Sequence, residues 1–132
     1  MKATSRLIDQ VGTALLPLFL KREGITAYQC PEEDSYDFVV SIKNKFIRIE
    51  LKSIDGDTEC PTAGKITNKQ FQAADFVIIY LLYKKENIFF TIPISRIPRN
   101  NPIRFTKNKK GELNGKWVKY EGFDYLIKEI KK

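Results

Sequence analysis

The stretch Phe46-Ile47-Arg48-Ile49-Glu50-Leu51-Lys52 decides how the rest of the chain is read. As a strand it sends Ile47, Ile49 and Leu51 to one face and Arg48, Glu50 and Lys52 to the other. Tyr36 to Ile42 has the same β-branched and aromatic character, and the polar Lys43-Asn44-Lys45 between the two marks a hairpin. A two-residue turn at Lys43-Asn44 sets Asp37 opposite Glu50; a turn at Asn44-Lys45 sets Asp37 opposite Lys52. In both registers Phe38, Val40 and Ile42 share a face with Ile47, Ile49 and Leu51. A three-residue turn without a bulge puts opposing residues on mismatched faces and breaks that agreement. The hydrophobic pattern therefore selects the registers that also gather Asp37, Glu50 and Lys52.

Upstream, Thr4 to Arg22 repeats apolar residues at spacings of three and four through Leu7 or Ile8, Val11, Leu15 and Leu18 or Phe19, which predicts a helix. Pro17 is expected to kink or shorten it, and Gly24 to end it. Downstream, Ser53 to Gly64 has no period and reads as a loop, and Thr67 to Ala74 as a short helix that Thr67 caps. Asp75 to Tyr83 and Asn87 to Pro93 are apolar strands about the turn Lys84-Lys85-Glu86. Ile94 to Pro98 suggests a helical turn. Pro102 to Lys107 and Lys116 to Tyr120 suggest a second hairpin, and Phe123 to Lys131 a terminal helix. The fold class is α/β: an N-terminal helix, a central mixed β-sheet flanked by helices, then a C-terminal hairpin and helix.

The 132 residues suit one domain, 1–132, and 42% hydrophobic with 30% charged residues is the balance of a folded protein. The apolar runs Ala14 to Leu20 and Phe76 to Tyr83 are too short to span a bilayer, and nothing reads as a signal peptide. A soluble, cytoplasmic protein without a membrane partner is expected. Cys30 and Cys60 are then reduced thiols without partners at zinc spacing. The chain contains no histidine, which excludes Ser–His catalysis and histidine general bases. Lys and Arg number 23 against 16 Asp and Glu, a net charge of +7, and nucleic acid is the commonest partner of such an excess.

Opposed strand residues have β-carbons about 5 Å apart. Two carboxylates at that distance repel unless a cation lies between them, and Mg2+ or Mn2+, a hard ion that favours carboxylates and water, does this well. Lys52 beside the ion would orient or deprotonate the attacking water, and a scissile phosphate would complete the site. The alternative is ordinary: exposed strands also use alternating Glu and Lys as cross-strand ion pairs.

From about Val11 to Pro93 the chain resembles the PD-(D/E)XK nuclease superfamily, the restriction-endonuclease-like fold. The resemblance rests on Leu20-Lys21-Arg22-Glu23-Gly24 closing the helix, on Ser35-Tyr36-Asp37-Phe38-Val39-Val40, on Ile49-Glu50-Leu51-Lys52-Ser53, and on Ala74-Asp75-Phe76-Val77-Ile78-Ile79-Tyr80. In character it is most similar to small members, Holliday-junction resolvases and intron-homing endonucleases. It implies a metal-dependent endonuclease acting on DNA, with Asp37, Glu50 and the Leu51 carbonyl as metal ligands and Lys52 as the catalytic lysine. The chain departs from the pattern at Tyr36, where the family has Pro, and at Gly12-Thr13, where it often has Gly-Glu. Asp9 lies one turn before Thr13 on the same face and is the accessory candidate; a solvated acid is its other reading. Gln70, on the short second helix, is a further accessory candidate, or a plain surface residue.

Arg96, Arg99, Arg104, Lys107, Lys109, Lys110, Lys116 and Lys119 crowd the last third among Phe105, Trp117 and Tyr120, the composition of a phosphate-tracking surface or, as plainly, of a solvated hairpin whose aromatics face the core. Lys43 and Lys45 at the hairpin tip are further candidates for DNA contact. Ala63-Gly64-Lys65-Ile66-Thr67 lacks the early glycine of a phosphate-binding loop, with Ile66 where Ser or Thr should stand, and is rejected as one. A homodimer is expected for duplex cleavage, since paired subunits supply two active sites. The rival expectation is a nucleic-acid-binding module of the same fold that is weak or inactive in cutting.

Overall fold

The computed structural model describes residues 5–31 and 36–132. Its frame is the hairpin of β2 (Phe38–Ile42) and β3 (Lys45–Asp55). The turn falls at Lys43-Asn44, both in the left-handed region with φ of 50° and 67°, as a type I′ turn requires. Phe38 then pairs with Ile49 and Val40 with Ile47. Of the two registers open to the sequence, this is the one that sets Asp37 at the level of Glu50. β3 outruns β2 and continues alone on that side.

On its other side β3 runs parallel to β5 (Phe76–Tyr83), from Ile49 beside Phe76 to Asp55 beside Leu82. β6 (Glu86–Pro93) returns antiparallel through a second left-handed turn at Lys84-Lys85. With the edge strand β1 (Ala27–Gln29) the mixed five-stranded order is β1-β2-β3-β5-β6.

The central strand β5 is buried on both faces, and each face has its own core. On one, Phe38, Val40, Ile47, Ile49, Ile78 and Tyr80 pack against Ile8, Leu16 and Leu20 of α1 (Ser5–Arg22), and against Leu126 of α3 (Asp124–Ile130). On the other, Val77, Ile79, Leu81, Phe90 and Ile92 are covered by Ile97, Ile103, Phe105, Trp117 and Tyr120. Pro17 does not shorten α1, which reaches Arg22. Lacking an N–H, it leaves the Thr13 carbonyl without its helical donor. Gly24, at φ 77°, ends the helix as expected, and the bonds Ile25 N–H to Leu20 O and Gly24 N–H to Lys21 O make a Schellman cap.

Several boundaries differ from the sequence expectation. β3 extends to Asp55, and part of the expected loop is a strand, β4 (Thr62–Ala63), that pairs with β7 (Ile103–Arg104). The second hairpin joins β8 (Thr106–Lys107) to β9 (Leu113–Asn114), not to Lys116–Tyr120. There the chain makes a 3-10 turn, Val118–Tyr120, which lets Trp117 and Tyr120, three residues apart, both enter the second core. The short helix α2 is Asn68–Ala73, with Thr67 as its cap. Thr4, expected in the first helix, lies outside the described residues. Cys60 is an exposed free thiol, and the Cys30 thiol faces the Tyr28 carbonyl at 3.9 Å. Among the described residues no helix is long and apolar enough to cross a membrane.

Candidate active site

The site forms where β2 stops and β3 continues. Asp37 stands just before β2; its N–H bonds to the Ile49 carbonyl at 2.9 Å, so the chain is already out of the regular ladder. Its Oδ2 accepts the Leu51 N–H at 2.7 Å, taking the place that a partner strand would fill. In a strand the N–H and C=O of one residue leave on the same side, so the Leu51 carbonyl also faces the Asp37 side.

Glu50 is only 6% exposed. Its Oε1 accepts the Gln70 Nε2 at 2.8 Å and lies 3.9 Å from the Lys52 ammonium. Burial, then the negative charge of Asp37, push the Glu50 carboxyl up to about 7; Lys52 opposes this, and a hydrogen bond with Asp37 adds to it. A carboxylate buried beside another is destabilised by like charge, and a bound cation is a common relief.

Gln70 is locked from both ends. Its Oε1 accepts the Thr67 N–H at 3.1 Å while Thr67 Oγ1 accepts the Gln70 N–H at 3.1 Å, a reciprocal capping box. With the amide oxygen so engaged, the Nε2 is left to face Glu50. The sequence signal for this was Thr67 followed three residues later by glutamine.

The helix α1 contributes Asp9 and Thr13. It comes close because residue 12 is glycine: a β-carbon there would stand 2.4 Å from Ser53 Oγ and 2.9 Å from Tyr80 Cδ2. Asp9, Thr13, Asp37, Glu50 and Lys52 line one cleft of about 320 Å³, walled by Ala63 and Gly64. The Asp9 carboxyl is raised by burial first, lowered by Lys52 and raised again by Asp37, so it shares the electrostatic field of the site. Among the described residues no three acidic, Cys or His side chains converge closely enough to hold an ion together. Asp37, Glu50 and the Leu51 carbonyl could offer two carboxylates and a carbonyl, a set that suits a hard cation that keeps several waters. A larger groove of about 440 Å³, beside Lys45, Phe46, Phe76 and Ile94, contains none of these residues.

The basic residues do not form one patch. Lys43 is in the hairpin turn, and Lys45, whose ammonium bonds to the Lys132 carbonyl at 3.2 Å, is roughly 16 Å along β3 from Glu50. Lys107 is tied to the Thr58 carbonyl at 2.7 Å, and Lys109 and Lys110 are exposed between β8 and β9. Arg96 is exposed at the end of the 3-10 turn Ile94–Arg96. Nearer the cleft are Arg104, beside Thr62 in the β4–β7 pair, and Arg99, stacked on Phe71 of α2. Lys65 and Lys69, next in sequence to Gly64 and Gln70, are exposed at this rim and were missed in the sequence. Their signal lay in Gly64-Lys65, set aside because it does not make a phosphate-binding loop.

No protein-family profile matches the chain, and no curated protein does. Among solved structures the chain is similar to a bacterial homing endonuclease, I-Ssp6803I, with a TM-score of 0.74 over 97% of this chain and 94% of that one. At 14% identity the likeness is one of fold: helix first, mixed sheet, helix last.

Proposed function

We propose that this chain is one nuclease domain of the PD-(D/E)XK type that hydrolyses DNA phosphodiester bonds with Mg2+ or Mn2+. The observation that carries the reading is the buried Glu50, set between the Asp37 carboxylate and the Lys52 ammonium at the open side of β3. Asp37, Glu50 and the Leu51 carbonyl would hold the cation, whose bound charge would neutralise the phosphate and acidify a water. Lys52 orients the attacking water and shares the charge that develops on the phosphate oxygens. The water gives up a proton to solvent as its oxygen bonds to phosphorus, the phosphorus–oxygen bond to one sugar breaks, and the leaving oxygen takes a proton from solvent. Gln70 keeps Glu50 aimed at the cleft, and Leu51 N–H keeps Asp37 there. Cutting a duplex would use two copies of the chain, one for each strand.

A second reading has one observation in its favour. Thr13 occupies the cleft where the resemblance would place a glutamate, which suits a DNA-binding module with little turnover. One experiment separates them: labelled linear, branched and single-stranded DNA, with and without Mg2+ or Mn2+, beside Glu50→Ala and Lys52→Ala. Metal-dependent cutting that both variants lose supports the nuclease; binding without cutting in every condition leaves the module.

A further inference from the structure

The Arg99 guanidinium carbon lies 4.4 Å from the centroid of the Phe71 ring. Among the described residues Arg99 has no carboxylate partner and makes no hydrogen bond. The ring thus meets the cation on one side while its N–H groups are left for a ligand, and a guanidinium fork matches a phosphate in geometry and charge.

Both halves of the stack are anchored. Phe71 is half-buried, packs on the second core and is the residue after Gln70, so its position is fixed by the same helix that reaches Glu50. Arg99 follows Pro98 and the buried Ile97, whose N–H bonds to the Ile94 carbonyl at 3.2 Å. Directly after it the chain turns at Asn100, at φ 66°. A long side chain presented from a pinned backbone and held against a ring loses little freedom when it binds.

We infer that Arg99 is a phosphate clamp for the DNA backbone beside the cleft, held ready by its stack on Phe71. The inference rests on DNA being the substrate, but not on the chain being able to cut it. It also separates Arg99 from the exposed cations nearest it, Arg104, Lys65 and Lys69, which have no ring contact among the described residues; the other arginine on a ring, Arg22 over Phe19 at 4.9 Å, is at the end of α1 away from Asp9.

The test is binding to a short fluorescent duplex in chelator, as a function of salt, for wild type, Arg99→Ala, Arg99→Lys, Phe71→Leu and the double variant Phe71→Leu/Arg99→Ala. Arg99→Ala is expected to flatten the slope of log K against log salt by about 0.9, one phosphate contact. Phe71→Leu and Arg99→Lys are expected to weaken binding about two- to five-fold, with the slope kept, because the charge remains. Once Arg99 is gone, Phe71→Leu should weaken binding no further. An unchanged slope in Arg99→Ala overturns the clamp. So does an equal loss from Phe71→Leu in both backgrounds, or a Phe71→Leu variant that melts lower but binds as wild type. Cleavage with Mg2+ or Mn2+ is scored separately: a protein that never cuts yet shows the Arg99–Phe71 coupling refutes the nuclease and leaves the clamp standing.

Discussion

Glu50→Gln should make the protein more stable above neutral pH, and the size of the gain follows from the site. Glu50 moves from an ordinary 4.5 to about 7 on folding, through burial and the Asp37 charge. Each unit corresponds to about 1.4 kcal/mol, so the folded state loses about 3 kcal/mol as the carboxyl ionises. A raised carboxyl contributes fully below 4.5, and its contribution is lost as the pH rises through 7. Glutamine is isosteric, its Oε1 keeps the bond from Gln70 Nε2, and its own amide can donate to Asp37. In chelator, wild type and Glu50→Gln should therefore unfold together at about pH 4.5 and separate by about 3 kcal/mol above pH 8. For a domain of this size that gap is roughly 10 °C in melting temperature. Mn2+ in about hundred-fold excess over its Kd should return nearly 3 kcal/mol to wild type and much less to the variant. Thermal melts followed by circular dichroism, at several pH values with and without Mn2+, measure every term. Parallel pH profiles for the two proteins in chelator would falsify the like-charge strain and remove the main physical reason for a cation at this place.

Lys52→Met should lower kcat at least about a hundred-fold while duplex affinity in chelator stays within about two-fold, since the lysine is expected to act on the attacking water; single-turnover cleavage and anisotropy measure the two, and equal losses in both would make Lys52 a binding residue. Gly12→Ala places a β-carbon 2.4 Å from Ser53 Oγ and 2.9 Å from Tyr80 Cδ2, and Tyr80 is fully buried. Its expected cost is about 1–3 kcal/mol, net destabilising although alanine favours helix by about 1 kcal/mol; a urea midpoint at or above wild type would refute the close approach. Replacing Lys84-Lys85, at φ 49° and 65°, by Asn-Gly should raise the urea midpoint by the equivalent of about 1 kcal/mol, and no gain would mean that these lysines carry no backbone strain.

The elements legible in the sequence were those whose period one buried face imposes. Phe38, Val40, Ile47 and Ile49 alternate because α1 covers one side of the hairpin, and that alternation carried the register to within the choice of turn. The choice itself was settled by backbone conformation: Lys43 and Asn44 both adopt positive φ, a property that lysine does not advertise. The strand β4 was hidden because two residues, Thr62–Ala63, carry no period, and its partner Ile103–Arg104 is far away in sequence. Lys116–Tyr120 looked like a strand because Trp117 and Tyr120 are aromatic; packing, not propensity, bends them into a 3-10 turn. For the candidate site, Asp37, Glu50 and Lys52 could be placed by counting along one hairpin. The Gln70–Glu50 bond needed the position of α2, which depends on tertiary packing.

The first helix shows how a change in sequence is absorbed by geometry. Thr13 stands where a glutamate would be expected, and a threonine hydroxyl is a poor substitute for a carboxylate. Asp9 is four residues earlier, about 6 Å along the axis on the same face. Gly12 allows α1 to approach Ser53 and Tyr80, which carries both residues into the cleft, and there Asp9 responds to Lys52 and Asp37 alike. Yet Asp9 completes no three-acid cluster among the described residues. In this arrangement it acts on the site through its field, drawing on the positive charge of Lys52 that also faces Glu50 at 3.9 Å. The lysine thus balances acids from two elements, the helix and its own strand. On the proposed reading, the negative charge of the missing glutamate is retained one helical turn away, whereas its place in the coordination of the cation is not.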